Sequence, residues 1–245
     1  GPQRIMALTT PQEKKIAARE AEEAESGEKK RGRKPQSPEK AAEAAAEMKA
    51  NVTDPESRVM KTRTGYIQGY NAQTVVTEEQ IIVAAAVTQE ENDVKQLQPM
   101  LEQTRENLAA VKVDEPIEAV AADAGYCSEE NLQKDGENGT ELFIATTKDW
   151  KQRKALREAP PPRGRIPGNL SARDRMERKL LTRRGRHLYK KRCRMVEPPY
   201  GQIKSVRGFG RFMRRGVQAC RMEWNLICAT HNLLKLWRSG KVCWC

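Results

Sequence analysis

The sequence has few aromatic residues, few histidines and no long apolar run. Aromatic side chains make up 5% of its 245 residues, and only two residues are histidine. No run of about eighteen apolar residues occurs, so we predict no membrane-spanning helix. The first residues show neither an initiator methionine nor the apolar centre of a signal peptide. We therefore expect an internal segment or a processed end of a cytoplasmic protein.

The six cysteines lack the Cys-x-x-Cys spacing that is typical of zinc sites and redox pairs. A basic chain without an export signal is expected to keep its thiols reduced. Cys220 and Cys228 stand at helical spacing among apolar residues, which predicts that they pack in a core. The terminal pair, Cys243 and Cys245, would need further ligands to hold zinc, so we predict no metal site made of cysteine.

Positive charge is the strongest signal in the composition. Lys and Arg outnumber Asp and Glu by 45 to 33, which gives a net charge of +12 and a pI near 9.5. Lys and Arg gain affinity for nucleic acids by displacing counterions from phosphates. Hydrophobic residues reach 38%, enough for one core together with solvated chain. We therefore expect a nucleic-acid partner.

Residues 1–50 lack the pattern of a folded domain. The stretch from Thr10 to Ser26 opens with a capping box but has only Ile16 as a substantial apolar residue, which predicts an exposed helix. A charged linker follows, and a second Ala/Glu-rich helix is predicted from Ser37 to about Ala50. Within the linker, Lys30 to Pro35 resembles the core of an AT-hook, which binds a narrow minor groove. We expect a solvated linker, with minor-groove binding as the alternative, and we expect the whole segment to be largely helical or disordered.

Residues 51–238 show the alternation of elements expected of an α/β domain. The predicted order is β-β-α-β-α-β, which indicates a mixed sheet flanked by helices. The apolar run from Gln80 to Val87 is typical of a strand buried on both faces. The predicted strands are Tyr66–Val76, Gln80–Val87, Ile117–Ala122 and Leu142–Ala145, and the predicted helix caps are Asn92 and Ser128.

A basic segment at about residues 147–187 interrupts this alternation, and residues 239–245 form a short tail. Beyond the basic segment, Glu197 stands among cations just ahead of Pro198 and Pro199. Proline is favoured in the first turn of a helix, so we predict that Glu197 lies at or just before a helix start. A last amphipathic helix is predicted from about Val217 to Leu236.

Two carboxylates are candidates for chemistry. Asp123 follows a buried strand, and ligands usually bind at the carboxyl ends of strands in open sheets. Asp123 and Glu197 offer the hard oxygen ligands that Mg²⁺ or Mn²⁺ accepts beside phosphates, while Arg192 and Lys204 would counter phosphate charge. The alternative for each carboxylate is structural: Asp123 caps its turn, and Glu197 complements the dipole of a helix.

The segment Tyr189-x₂-Arg192-x₄-Glu197-x₆-Lys204 resembles the Tyr-Arg-Glu-Lys motif of bacterial insertion-sequence DDE transposases. The group that it resembles most has a Val-Glu-Pro-x-Phe-Gly-Gln-Ile-Lys block, in which Tyr200 replaces the phenylalanine here. The resemblance covers about residues 51–238. Further similar blocks, in the family's order, are Thr53–Arg58, Gly69–Gln73, Asp123–Tyr126, Arg207–Phe212 and His231–Leu233.

The resemblance implies an RNase H-like domain that cuts transposon ends and joins their 3′-hydroxyls to target DNA with Mg²⁺ or Mn²⁺. It implies a homodimer on paired ends, in the bacterial cytoplasm and associated with the nucleoid. Asp123 would be the second catalytic Asp and Glu197 the catalytic Glu, and both would be metal ligands. The family's first Asp lies in an Asp-Gly-Thr-Lys-type strand, which residues 1–245 do not contain, and Asp54 is the nearby carboxylate that could replace it. We therefore expect a C-terminal fragment that lacks the first catalytic strand and does not cleave DNA by itself.

The resemblance also implies DNA contacts around these carboxylates. Related transposases grip the transposon end with an insertion at the position of residues 147–187, where Trp150 is suited to stack on a base. Packing against a sheet edge is the alternative for Trp150. Two rival functions stay open: a catalytically dead DNA-binding remnant and a basic nucleic-acid chaperone. The expected DNA-binding residues are Tyr189, Trp150, Lys151, Arg153, Arg192, Lys204, Arg207 and Arg211.

Overall fold

The computed structural model describes residues 11–27, 35, 37, 39–40, 51–62, 65–149, 151, 154 and 158–240. The chain divides into two compact units, Gly1–Val52 and Thr53–Cys245. In the first unit, helix α1 spans Pro11–Ser26, as predicted. Glu39 and Lys40 are helical and follow Ser37, which was predicted to begin a helix. The basic run at residues 30–34 and the remainder of the second predicted helix lie outside the described residues.

The second unit begins with a β-hairpin that the sequence did not predict. Strand β1 (Arg58–Thr62) pairs antiparallel with β2 (Gly65–Gly69). The single strand predicted over Tyr66–Val76 is wrong, because it is divided at Tyr70 into β2 and β3 (Asn71–Val76). The Tyr70 hydroxyl donates a hydrogen bond to Asp54 Oδ1 at 2.7 Å, so the chain is anchored at the break between the two strands.

Strand β3 pairs antiparallel with β4 (Ile82–Thr88), in which Ile82, Ala84 and Val87 are buried and the other four residues are half-buried. The strand was predicted, but it is less completely buried than its apolar sequence indicates. The last helix, α6 (Val217–Arg238), packs on β4. Its Asn232 side chain both donates to the carbonyl and accepts from the amide of Ile82, at 2.7 and 2.9 Å. Cys220 and Cys228 lie buried in this core, as predicted, and Trp224 donates its indole N–H to the carbonyl of Gln73.

Helix α2 (Leu97–Ala110) buries Leu97, Met100, Leu101 and Thr104. The predicted cap at Asn92 is wrong, because a short 3₁₀ turn, Val94–Gln96, precedes the helix. The backbone carbonyl of Asp93 accepts the Gln96 amide in that turn at 2.8 Å. The Asp93 side chain is bonded to strand β3 and does not cap the turn.

Strand β5 (Ala119–Ala122) pairs in parallel with β6 (Glu141–Ile144). Between them lies the short helix α3 (Glu129–Gln133), whose predicted cap is confirmed: Ser128 Oγ accepts the amide of Asn131 at 3.2 Å. Helix α4 (Ala172–Leu181) packs against β6 through the buried Met176. Part of the basic segment at residues 147–187 is therefore core structure.

Helix α5 (Arg183–Gly201) corrects the expected position of Glu197. Glu197, Pro198 and Pro199 lie near its carboxyl end, not at a helix start. Pro198 has no N–H to bond the carbonyl of Arg194 one turn earlier. The Gln80 side chain donates to that carbonyl at 2.9 Å, which compensates for the missing donor. The helix then continues into a π-helical turn, Gln202–Val206.

The six described strands form three two-stranded ladders, β1–β2, β3–β4 and β5–β6. The mixed sheet that was predicted is present among the described residues as antiparallel and parallel ladders that are not hydrogen-bonded to one another. Helices pack on these ladders, so the α/β class is confirmed. None of the described helices combines the length and apolar character needed to cross a membrane.

Candidate metal and nucleic-acid site

Asp123 lies directly after β5, where the chain turns. Its Oδ1 accepts the backbone amide of Gly125 at 2.8 Å, and its backbone carbonyl accepts the amide of Tyr126 at 3.2 Å. Asp123 does cap its turn, as the structural alternative predicts. One oxygen holds the turn, and two carboxylate oxygens offer about four acceptor positions, so the capping role leaves acceptor capacity for a cation.

Asp93 stands beside Asp123, and sequence reasoning missed it. Its Oδ1 accepts the side-chain amides of Asn71 and Gln73, each at 2.7 Å. A Cβ added to Gly125 would lie 2.8 Å from Asp93 Oδ2 and 2.9 Å from Asp123 Oδ1. The two carboxylates therefore converge on one point above the Gly125 backbone. The signal that was available in the sequence is the pair of side-chain amides, Asn71 and Gln73, two positions apart on β3.

Tyr126 links the end of β5 to the start of β3 by donating its hydroxyl proton to Gln73 Oε1. Burial raises the pKa of Tyr126 above its usual range, and the charge of Asp93 raises it further; Arg192 opposes this shift. The phenol therefore stays protonated and acts as a donor.

A groove of about 500 Å³ runs beside these residues. Residues of β3 and of β5 line it, and α2 and α5 contribute further lining residues. Asp93, Asp123 and Tyr126 lie among its lining residues. Helix α5 contributes Leu188, Lys191, Arg192, Met195, Val196 and Tyr200 to the lining.

Two predicted DNA-binding residues of α5 carry buried polar atoms with no hydrogen-bond partner among the described residues: Tyr189 Oη and Arg192 Nε. The Arg192 guanidinium lies 5.7 Å from the centre of the Tyr189 ring. Lys204 is exposed, with its ammonium 5.2 Å from the centre of the Tyr200 ring. Arg192 thus faces the groove, and Lys204 stands at the surface near the end of α5.

Glu197 does not join the groove. It follows Val196, and successive helical residues point about 100° apart around the axis. Its side chain is exposed and makes no hydrogen bond or ion pair with the described residues. The structure therefore brings Asp123 together with Asp93 and Arg192, and leaves Glu197 outside the residues that line the groove.

Asp54 lies in a different place and has a different set of partners. Its Oδ1 accepts the Tyr70 hydroxyl at 2.7 Å and the Gly216 amide at 3.3 Å. It ties the start of the second unit to the segment before α6. Asp54 is not among the residues that line the groove.

The remaining predicted DNA-binding residues differ in the exposure and hydrogen bonding of their side chains. Arg207 donates to the carbonyl of Ile227 at 3.2 Å and to Thr230 Oγ1 at 2.5 Å, so it holds α6 in place. Arg211 and Lys151 are exposed. Trp150 and Arg153 lie outside the described residues.

The described residues do not form a complete divalent-metal site. No group of three His, Cys, Asp or Glu side chains within them is arranged to hold an ion. Asp93 and Asp123 supply the hard oxygen donors that Mg²⁺ and Mn²⁺ prefer. The donor chemistry fits such an ion, and the number of donors is too small to hold it tightly.

A family model described as a transposase DDE domain matches residues 27–233. Comparisons with curated proteins and with solved structures gave no match. The matched range includes each of the six described strands, the carboxylate pair Asp93 and Asp123, and Glu197. It ends within α6, at the residue after Asn232. The Asn232 side chain forms hydrogen bonds with both the amide and the carbonyl of Ile82 in β4.

Proposed function

The chain belongs to the transposase DDE domain family, and on this premise we propose that the intact enzyme cuts the ends of a bacterial insertion element and transfers their 3′-hydroxyl strands to target DNA. The observation that carries the proposal is the convergence of Asp93 and Asp123 at the carboxyl end of β5, in a groove lined by Arg192. Carboxylates that converge on one point next to a phosphate-binding cation are suited to phosphoryl transfer.

In this proposal Asp123 and Glu197 are the metal ligands, and Asp93 stands next to Asp123 as a further oxygen donor. Because Glu197 lies outside the groove in this structure, it would reach the ion only after a rearrangement near the carboxyl end of α5. Two bound Mg²⁺ or Mn²⁺ ions would activate the attacking water or 3′-hydroxyl and stabilise the leaving oxygen. The protein's own contribution is positional: Gly125 fixes Asp123, while Asn71 and Gln73 fix Asp93. Asp54 is a weaker candidate ligand, since Tyr70 and Gly216 already occupy one of its oxygens.

DNA would lie along the basic surface around α5. Arg192 and Lys204 would bind backbone phosphates, and Lys151 and Arg211 have exposed side chains that suit the same role. Tyr189, Trp150, Arg153 and Arg207 complete the proposed contact set. A homodimer on paired transposon ends, acting in the bacterial cytoplasm at the nucleoid, is part of this proposal.

We further propose an RNase H-like fold that lacks its first catalytic strand within residues 1–245. The antiparallel β3–β4 pair, the parallel β5–β6 pair and the flanking helices support this assignment. Without a first Asp, residues 1–245 would bind DNA and leave it uncut. The second candidate function is a catalytically dead DNA-binding remnant, favoured by the lack of a three-carboxylate group among the described residues.

The test is strand cleavage of a plasmid that carries the element's two ends, with Mg²⁺ present. The proteins are residues 1–245 alone and the same chain preceded by an Asp-Gly-Thr-Lys-type strand. The longer protein should cut at the ends, and its Asp123→Asn and Glu197→Gln variants should lose cleavage while retaining DNA binding. If the longer protein binds the plasmid and never cuts it, the remnant function is correct and the enzyme is not.

A further inference from the structure

The hairpin of β1 and β2 stands apart from the rest of the second unit. Apart from their pairing with each other, the two strands pack extensively against no other described helix or strand of that unit. Both of its faces carry exposed apolar side chains: Val59 is 48% exposed, Tyr66 71% and Ile67 53%. A lone two-stranded hairpin is marginally stable in water, and exposed apolar surface marks interaction sites, so this hairpin is suited to bind a partner.

One face of the hairpin combines a cation, a phenol, an amide and an apolar side chain. The register places Lys61 opposite Tyr66 and Val59 opposite Gln68. Opposite residues of a ladder point to the same side, so these four side chains share one face, and all four are exposed. The side chains of Lys61 and Tyr66 make no hydrogen bond or ion pair with another described residue. This surface, the Lys61–Tyr66 face, is therefore open to a partner.

The charge of the hairpin indicates which partner it binds. From residue 57 to residue 77 the sequence contains Arg58, Lys61 and Arg63 and no Asp or Glu. Cations bind backbone phosphates, while amide and apolar side chains contact base edges. The chemistry of the Lys61–Tyr66 face therefore matches DNA.

The dimensions of the hairpin fit the major groove of a duplex. Paired strands lie about 5 Å apart, and the major groove, about 12 Å wide, admits a two-stranded ribbon. Strands of five residues extend about 17 Å from their base. That length corresponds to about five base-pair steps of about 3.4 Å each.

The base of the hairpin is hydrogen-bonded beside the carboxylate pair. The chain leaves β2 through Tyr70 and continues into Asn71, whose side-chain amide donates to Asp93 at 2.7 Å. At the other end of the hairpin, Glu56 accepts the amide of Val217 at 2.8 Å, which ties the start of β1 to the start of α6. The hairpin therefore projects from an anchored base next to Asp93.

We propose that the β1–β2 hairpin enters the major groove of the DNA on which the carboxylate pair acts, with the Lys61–Tyr66 face turned toward the base pairs. Its contacts lie within about six base pairs of the phosphate bound at Asp93 and Asp123. This inference rests on the proposed function, because the partner is the same DNA. It adds a contact surface outside the groove and outside α5.

The test is site-specific photo-crosslinking of the full chain to a radiolabelled duplex of mixed sequence. Benzoylphenylalanine replaces Tyr66 in one protein and Val111 in the matched control. Val111 is 67% exposed and follows α2, which extends about 20 Å away from the residues next to Asp93. The protein with the crosslinker at position 66 should crosslink to the duplex, and the control should not.

Two groove-binding dyes and drugs identify the groove. Methyl green, which occupies the major groove, should abolish the crosslink from position 66. Netropsin, which occupies the minor groove, should leave it unchanged.

Lys61→Ala provides a second measurement that needs no unnatural residue. Removal of this cation should lower the slope of log K against log salt by about 0.9. The control is Lys112→Asn, which removes another exposed cation at a residue with φ of 58°, where Asn is tolerated. The slope should be unchanged in the control, and circular dichroism of both variants checks that they are folded.

Three results would overturn the hairpin site: a crosslink from position 66 to a second protein copy and not to DNA, a crosslink blocked by netropsin and not by methyl green, or equal salt slopes for Lys61→Ala and Lys112→Asn. DNA binding that still depends on Lys204 would then leave the proposed function standing. If the crosslink forms and the longer protein never cuts its plasmid, the enzyme fails and the hairpin site stands. If the full chain binds no duplex at all, both proposals fail.

Discussion

Asp93 and Asp123 approach each other across Gly125, with one oxygen of each within 3 Å of the point where a Cβ would stand on that glycine. Like charges this close repel, and fixed donors offset the repulsion: the amides of Asn71 and Gln73 for Asp93, and the Gly125 backbone for Asp123. The protein therefore maintains a concentrated negative site that favours a cation.

Gly125→Ala should destabilise the protein by about 1–3 kcal/mol, because its Cβ would crowd two carboxylates that are each held in place. The control is Gly201→Ala at the end of α5, where an added Cβ meets nothing within 4 Å. Urea unfolding should show the control to be neutral or slightly stabilised, since alanine favours helix. Equal midpoints for the two variants would show that the carboxylate pair is loosely held.

Gln80→Asn should cost about 0.5–1.5 kcal/mol, because the shorter side chain cannot reach the Arg194 carbonyl. Asn tolerates the left-handed backbone at this position, where φ is 66°. In a Pro198→Ala background the helix regains its own amide donor, so the cost of Gln80→Asn should decrease. A double-mutant cycle of urea midpoints measures this coupling, and a coupling energy of zero would reject the compensating role of Gln80.

Lys204→Ala and Arg211→Ala should each weaken binding to duplex DNA and reduce the salt dependence of the binding constant. Each lost phosphate contact should lower the slope of log K against log salt by about 0.9. Arg207→Ala is the contrasting variant: because Arg207 bonds Ile227 and Thr230, its loss should lower the free energy of unfolding by about 1–3 kcal/mol. Unchanged salt slopes for Lys204→Ala and Arg211→Ala would remove both residues from the DNA surface.

Stability should decrease above pH 9 because of the buried thiols. Burial raises the pKa of Cys220 from 9.0 to about 11 and that of Cys228 from 9.0 to about 12. The unfolded chain loses these protons first, so the free energy of unfolding decreases as pH rises from 9.0 toward 11. Urea midpoints at pH 8 and pH 10 should differ less in Cys220→Ala/Cys228→Ala than in the wild type. A Cys193→Ala variant, which removes a half-buried thiol on α5, should keep the full difference.

The sequence predicted those elements whose signal is local. Apolar runs and caps located β4, β5, β6, α3 and α6, because hydrophobic periodicity and capping are properties of neighbouring residues. The β1–β2 hairpin was missed, since the strand break at Tyr70 depends on its bond to Asp54, sixteen residues away.

The helix start that was predicted at Glu197 shows most clearly where rules based on neighbouring residues fail. Two prolines predicted a helix start, yet α5 continues through them because Gln80, distant in sequence, donates to the freed carbonyl. Asp123 was found because it ends an apolar strand. Asp93 was missed because its importance depends on Asn71, Gln73 and Gly125, which only folding brings to it.

Paramagnetic broadening by Mn²⁺ tests most directly whether the carboxylate pair at Gly125 is the metal-binding part of this transposase domain. Amide signals would be recorded for the full chain, its Asp123→Asn variant and its Asp54→Asn variant. We predict that the Gly125 amide broadens first, that Asp123→Asn abolishes this effect, and that Asp54→Asn does not. If the Gly216 amide beside Asp54 broadens first and the Gly125 amide is unaffected, the site has been assigned to the wrong carboxylates.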